Sequence, residues 1–291
     1  MRGRLSGFPD PAVLPEPAGT DTVRVTERLF RLHGRLSLPD PSFSHFRTAG
    51  LSPRSPVISS ERRDTMKKTI IAAAAAFLLA APAMAGDISC SRVPRIRQKA
   101  VSGIAKAQAA LGELYYSGRC VRQNYDEAFS WSEKAALQGD SGAEYMMALL
   151  YAGGLGTARN NRISTEWLAK SAVHGNPRAQ YAVGNINRGD PVSDVEAKRW
   201  YEMAADQGYA KAQNSLGELY YSEKEVFHDC KKALELFRAA AKQGDSDAEY
   251  HLGEMYDNGK CVRRNPGEAR RWYRKSASHG NEMAKSALAG R

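Results

Sequence analysis

The sequence predicts an all-α solenoid of stacked helix–turn–helix repeats. Three observations carry that expectation. Ala107, Ala143, Ala179, Ala212, Ala248 and Ala284 recur at spacings of 36, 36, 33, 36 and 36 residues. Each is preceded, four residues earlier, by a glycine: Gly103, Gly139, Gly175, Gly208, Gly244 and Gly280. Eight residues before the last five of these glycines stand Trp131, Trp167, Trp200, Leu236 and Trp272. A fixed period of this length marks a repeat array, in which each unit buries its apolar stripe only by stacking on its neighbours.

Two segments precede the register. Residues 1–65 hold 10 Arg and no Lys, 8 of the 13 Pro, and no Cys, Trp or Tyr. No apolar period runs through them. The expectation is a leader ahead of a true start at Met66, untranslated or disordered; an arginine-bearing arm for acidic partners is the alternative. Residues 66–85, MKKTIIAAAAAFLLAAPAMA, place Lys67 and Lys68 before a short apolar run and close on Ala83-Met84-Ala85. That is the layout of a bacterial secretory signal peptide. The apolar run falls short of the about 18–20 residues that span a membrane. Lipidation of Cys90 is not expected, because Asp87 stands where an aliphatic residue is wanted. Residues 86–106 then form an N-terminal cap segment. The units are 107–142, 143–178, 179–211, 212–247 and 248–283, with a terminal cap at 284–291. The expected product is a periplasmic or secreted monomer.

Within a unit, the first helix carries Ala at offset 0, an apolar residue at 4, usually Gly at 5 and usually Tyr at 8. Ala107, Leu111, Gly112 and Tyr115 show this, as do Ala212, Leu216, Gly217 and Tyr220, and Ala248, Leu252, Gly253 and Tyr256. Offsets 0, 4 and 8 lie on one helical stripe. A mid-helix glycine is costly, so its recurrence predicts close approach of a neighbouring helix. The second helix opens with capping pairs, Asn124…Glu127, Ser193…Glu196 and Asn265…Glu268. Pro266 sits at a first helical position, where a missing N–H costs nothing. The helix ends at the recurrent glycine, the residue suited to the left-handed conformation after a helix.

Leu-Gly-x-x-Tyr, then Ala-x-x-Trp, then Ala-Ala-x-x-Gly at a 36-residue period resembles the Sel-1-like repeat (SLR), a relative of the tetratricopeptide repeat (TPR). Leu111-Gly112-Glu113-Leu114-Tyr115 and the run Ala128 to Gly139 carry the likeness most fully. Departures are Ala148 for Gly and Ser164 for Ala in unit two, Asn187 for Tyr and a shorter loop in unit three, and Leu236 for Trp in unit four. The resemblance implies a right-handed superhelix whose first helices line a concave face. It implies adaptor or regulatory work rather than one chemistry.

Four cysteines allow three pairings, and an exported chain keeps disulfides. The register favours one. Cys120 and Cys261 both sit at offset 13, in the matched loops Gly118-Arg119-Cys120-Val121-Arg122 and Gly259-Lys260-Cys261-Val262-Arg263. Cys90 lies 30 residues before the first and Cys230 lies 31 before the second. Cys90–Cys120 and Cys230–Cys261 are therefore expected, as staples on an array that frays from its ends. The rival reading makes Cys230 a nucleophile beside His228, the right chemistry for acyl transfer. Asp229 in the N-cap slot and the matched Cys261 weigh against it.

No catalytic residue, metal site or cofactor is expected. His174 and His279 precede helix-ending glycines, where Gln138, Gln207 and Gln243 stand in other units. There a partly charged imidazole is mildly favoured by the helix dipole. His251, at offset 3, is expected to face outward alone. Exported cysteine-rich relatives carry a β-lactamase label, yet the Ser-x-x-Lys motif of serine β-lactamases occurs nowhere in the chain. A β-lactam- or peptidoglycan-binding protein with weak hydrolase activity is the alternative function.

The formal net charge of +10 suggests nucleic acid. Residues 86–291 alone carry 30 Lys+Arg against 25 Asp+Glu, a balance of +5. The basic runs Arg92–Lys99 and Arg263–Arg274 read as solvated faces, so no nucleic-acid partner is expected. The concave face should be built from offsets 2, 6 and 9, at roughly 200°, 240° and 180° around a helix of about 100° per residue. It supplies Tyr145, Tyr181 and Tyr250, then Glu113, Asn185, Glu218 and Glu254, then Tyr116, Arg188, Tyr221 and Asp257. Asn214 shares the offset of the first three. Tyrosines supply contact area at low entropy cost, and the carboxylates would favour a basic protein or peptide. The competing reading is that the tyrosines pack between units.

Overall fold

The structure is a computed structural model, and it describes residues 89–189, 191–222 and 228–290. The expected leader, the signal segment and Asp87 lie outside the described residues. A 3₁₀ turn, Cys90–Arg92, leads into α1 (Val93–Val101). Then follow α2 (Ala105–Ser117), α3 (Tyr125–Ala136), α4 (Ser141–Gly153), α5 (Asn161–Val173) and α6 (Pro177–Asn187). The array continues with α7 (Pro191–Asp206), α8 (Ala210–Tyr221), α9 (Cys230–Lys242), α10 (Ser246–Asn258), α11 (Pro266–Ser278) and α12 (Glu282–Ala289). Among the described residues there are twelve α-helices and no strand. Each helix packs on the one before it and the one after it, as in a repeat solenoid.

Local chemistry explains the boundaries. Asn124 Oδ1 accepts from the N–H groups of Asp126 and Glu127, and Asn265 Oδ1 accepts from that of Glu268. All six recurrent glycines take φ between +80° and +93°, which a side chain would resist. One expected cap is corrected. Ser193 lies inside α7, because the helix begins two residues earlier at Pro191. Proline's fixed φ suits that first position. Asp194, in the first turn, instead reaches back: its Oδ1 accepts the N–H of Gly189, which precedes the helix, at 3.1 Å.

The mid-helix glycines mark close contacts. A Cβ built on Gly184 would fall 2.5 Å from the Tyr201 ring, on Gly217 2.8 Å from Phe237, and on Gly253 2.6 Å from Tyr273. These aromatics belong to the second helix of the same unit. Phe237 and Tyr273 stand at offset 25, and Tyr201 is their counterpart in the shortened unit three. Unit one has Ser132 at that place. Unit two, with Leu168 there, carries Ala148 rather than glycine.

Both disulfides form in the expected pairing, each with Cα atoms 5.1 Å apart. Cys120 and Cys261 have φ of 62° and 64°, and Gly156, at the same offset in unit two, has 65°. The turn needs a left-handed residue, and two units place a bridged cysteine in it at a conformational cost.

Candidate functional site

The sequence-expected face divides in two. Tyr145 is 9% exposed and packs with Ala172, Ala179, Val183 and Trp200. Asn214 is buried as well. For Tyr145 the packing alternative therefore holds: its direction leads into the next unit. Tyr181 follows it in part, with its ring 5.8 Å from Tyr201 and 5.5 Å from Tyr209. Tyr250 lies 5.6 Å from Tyr273. Tyr116 and Tyr125 meet edge to face at 5.8 Å, and burial pushes the Tyr116 hydroxyl pKa up. These rings, and Tyr221 beneath Lys260 Nζ at 4.1 Å, keep part of their surface open. Glu113 is exposed and Asp257 half-buried.

The structure joins five residues of the expected face into one polar ladder and adds a sixth, His251, that was not expected there. Arg188 Nη1 donates to Glu218 Oε2 at 2.7 Å. Asn214 Nδ2 donates to Glu218 Oε1 at 2.9 Å. His251 Nε2 lies 3.4 Å from Glu218 Oε1, and its Nδ1 lies 3.1 Å from Glu254 Oε2. Tyr250 Oη donates to Glu254 Oε1 at 3.1 Å. Beside the ladder, Tyr201 Oη donates to Asn185 Oδ1 at 2.6 Å. His251 is thus neither outward-facing nor alone. Its side chain is 18% exposed and stacks on Phe237 with ring centroids 4.9 Å apart.

Both ring nitrogens of His251 face carboxylates, and only the imidazolium donates to both. Burial works against that charge, but hydrogen bonds to Glu218 and Glu254 overcome it and raise the pKa to about 9. Burial likewise pushes the Glu218 carboxyl up, but His251 and Arg188 outweigh it and hold it below its ordinary value. The ladder balances two cations against two anions across units three to five. Glu218 and Glu254 are therefore already paired within the chain.

A second recurring contact ties the two helices of every unit. It joins offset 1 of the first helix to the residue before the recurrent glycine. Gln138 Nε2 donates to Gln108 Oε1 at 2.7 Å, Gln207 to Gln180 at 2.8 Å, and Gln243 to Gln213 at 2.9 Å. In units two and five, His174 Nδ1 meets Glu144 and His279 Nδ1 meets Glu249, each at 2.8 Å. The glutamates are almost wholly buried. Burial pushes the Glu144 carboxyl up, only partly offset by its bond to His174. Both members of each pair were legible in the register, since Gln pairs with Gln and Glu with His at matched offsets.

Cys230 is bridged, so its 3.8 Å contact with His228 is not a thiol–imidazole pair available for catalysis. Among the described residues no cluster of His, Cys, Asp or Glu fits a metal ion. No described helix is long and apolar enough to cross a membrane.

The Sel1 repeat family model matches residues 105–140, 141–176, 177–209, 210–245 and 246–281. The chain is 29% identical to a Sel1 repeat protein from Oxalobacter formigenes of known crystal structure, over 65% of this chain and 76% of that one, with a TM-score of 0.57. It is 26% identical to a protective antigen of uropathogenic Escherichia coli with an SLR fold, over 78% of this chain and 58% of that one, with a TM-score of 0.40. An immunity protein from Pseudomonas aeruginosa is 24% identical, over 81% and 84%, with a TM-score of 0.46. No curated protein matches the chain. Sel1 repeats generally serve protein–protein interaction and are generally non-catalytic. Five matched units covering more than half of the residues make this chain a member of the Sel1 repeat family.

Proposed function

We propose that the chain is an exported, non-catalytic adaptor that holds a protein or peptide on the face lined by the first helices of its units. The observation that carries this reading is the set of half-buried tyrosines Tyr116, Tyr181, Tyr221 and Tyr250, one on the first helix of each of units one, three, four and five. Aromatic side chains of this kind dominate binding energy at protein interfaces. Two disulfides fit an oxidising compartment outside the cytoplasm, and the signal-like segment at 66–85 agrees with export. Since Glu218 and Glu254 are paired with Arg188 and His251, attraction for a basic partner would rest on the exposed Glu113.

Crosslinking of the protein in its native envelope, followed by mass spectrometry, identifies the partner. The test is the yield of that crosslink in Tyr116→Ala, Tyr181→Ala and Tyr250→Ala variants. We expect a fall of tenfold or more for the triple variant, corresponding to about 1.4 kcal/mol or more. An unchanged yield removes the face from consideration.

A further inference from the structure

We propose that the edge formed by the turns α1–α2 and α3–α4 docks on an anionic lipid surface. This is separate from the tyrosine face. Val101 and Leu137 occupy the same place in successive second helices, two residues before the recurrent glycine, and are 73% and 74% exposed. Ile104 follows Gly103 and is 48% exposed. A chain of hydrogen bonds holds them on one edge. Gln138, next to Leu137, donates to Gln108, and Gln108 donates to the carbonyl of Ala100, next to Val101.

Folding does not ask for these residues. Ile104 is the N-cap of α2 and offers no side-chain acceptor, where Asp140, Asn176, Asp245 and Asn281 cap four of the corresponding helices; the fifth has Tyr209, which is half-buried where Ile104 is exposed. An apolar N-cap forgoes a favourable bond. At the place of Val101 and Leu137, the last three second helices carry Asp206, Lys242 and Ser278. At that place the apolar character is thus confined to one end of the array.

The surrounding charge selects the occupant. Exposed Lys99, Lys106 and Lys134 flank the apolar side chains. Residues 89–178 carry 12 Lys+Arg against 7 Asp+Glu, while residues 179–290 carry 17 of each. The excess positive charge of the solenoid therefore lies wholly in the half that bears the edge. Spaced apolar side chains among lysines suit shallow insertion between anionic headgroups, where apolar burial and electrostatic attraction add.

The test is co-sedimentation of the full chain with phosphatidylcholine vesicles, with and without one-third phosphatidylglycerol. Binding should require phosphatidylglycerol and weaken with salt. It should fall about fivefold or more in Val101→Ser/Leu137→Ser, and likewise in Lys99→Gln/Lys106→Gln/Lys134→Gln. Met203→Ser, an exposed apolar position of the other half, should bind as the parent does. Circular dichroism checks that each variant is folded. Equal sedimentation of parent and edge variants overturns the proposal, because another segment then carries the binding. So does concentration-dependent self-association that the same edge substitutions abolish without vesicle binding, which would make the edge a protein interface.

Discussion

The two halves of the solenoid obey one repeat pattern and pack differently. In residues 179–290 one long apolar cluster runs from Ala197 through Leu216, Phe237 and Leu252 to Met255, followed by a small group of Ala269, Tyr273 and Ala284. In residues 89–178 the core is broken into smaller groups, one around Leu111 and one around Met147. The difference follows from the contact between glycine and offset 25. Where Tyr201, Phe237 or Tyr273 fills that place, a large ring packs closely against a glycine of the facing helix. Where Ser132 stands, no ring fills it. The aromatic half is also where the charge ladder crosses three units. The lesson is that the repeat period fixes the array, while two or three positions per unit decide how tightly neighbours join.

Breaking the bridges should have the largest effect, and it asks whether the continuous core needs its staple. Cys230→Ser/Cys261→Ser removes a cross-link between residues 31 apart, at a cost of about 3–4 kcal/mol by chain entropy. Guanidinium denaturation measures it. A loss under about 1 kcal/mol would mean that the core of that half suffices alone.

The ladder comes next. The raised pKa of His251, to about 9, means that its stabilisation is full below its ordinary 6.5 and is lost as pH rises through 9. Unfolding free energy should therefore fall by about 2–3 kcal/mol between pH 6 and pH 10, relative to His251→Asn over the same range. Proton NMR of the ring should show a midpoint well above 6.5. A midpoint at or below that value would dissolve the ladder.

The glycine contact offers a sharper test of the comparison. Gly253→Ala should cost about 1–3 kcal/mol by overpacking against Tyr273. Adding Tyr273→Leu should recover part of that loss, since unit two combines Ala148 with Leu168. Additive losses in the double variant would refute the coupling.

An effect of similar size is expected at the clamp that both halves share. His174→Gln leaves Glu144 buried without its imidazole and should cost about 1–3 kcal/mol. Glu144→Gln/His174→Gln reproduces the clamp of units one, three and four and should restore it. The upward shift at Glu144 sets the sign with pH. The wild type should lose ground to this double variant as pH rises through the folded-state pKa, above the ordinary 4.5. Thermal melts across pH 4–7 resolve the two.

The sequence by itself determined the helix–turn–helix array, the glycine ends of the second helices, most caps and the pairing of the cysteines. Each is a local or strictly periodic feature, and one period repeated five times leaves little freedom. Only the tertiary structure decided what lies opposite each outward position. A helical wheel gives the direction of Tyr145 and His251 from their own axes. It says nothing of which neighbour occupies that direction. Stacking put Trp200 beside Tyr145 and closed it into the core. It also set Glu218 within reach of His251, 33 residues away, and turned an apparently isolated imidazole into the cation that links two units.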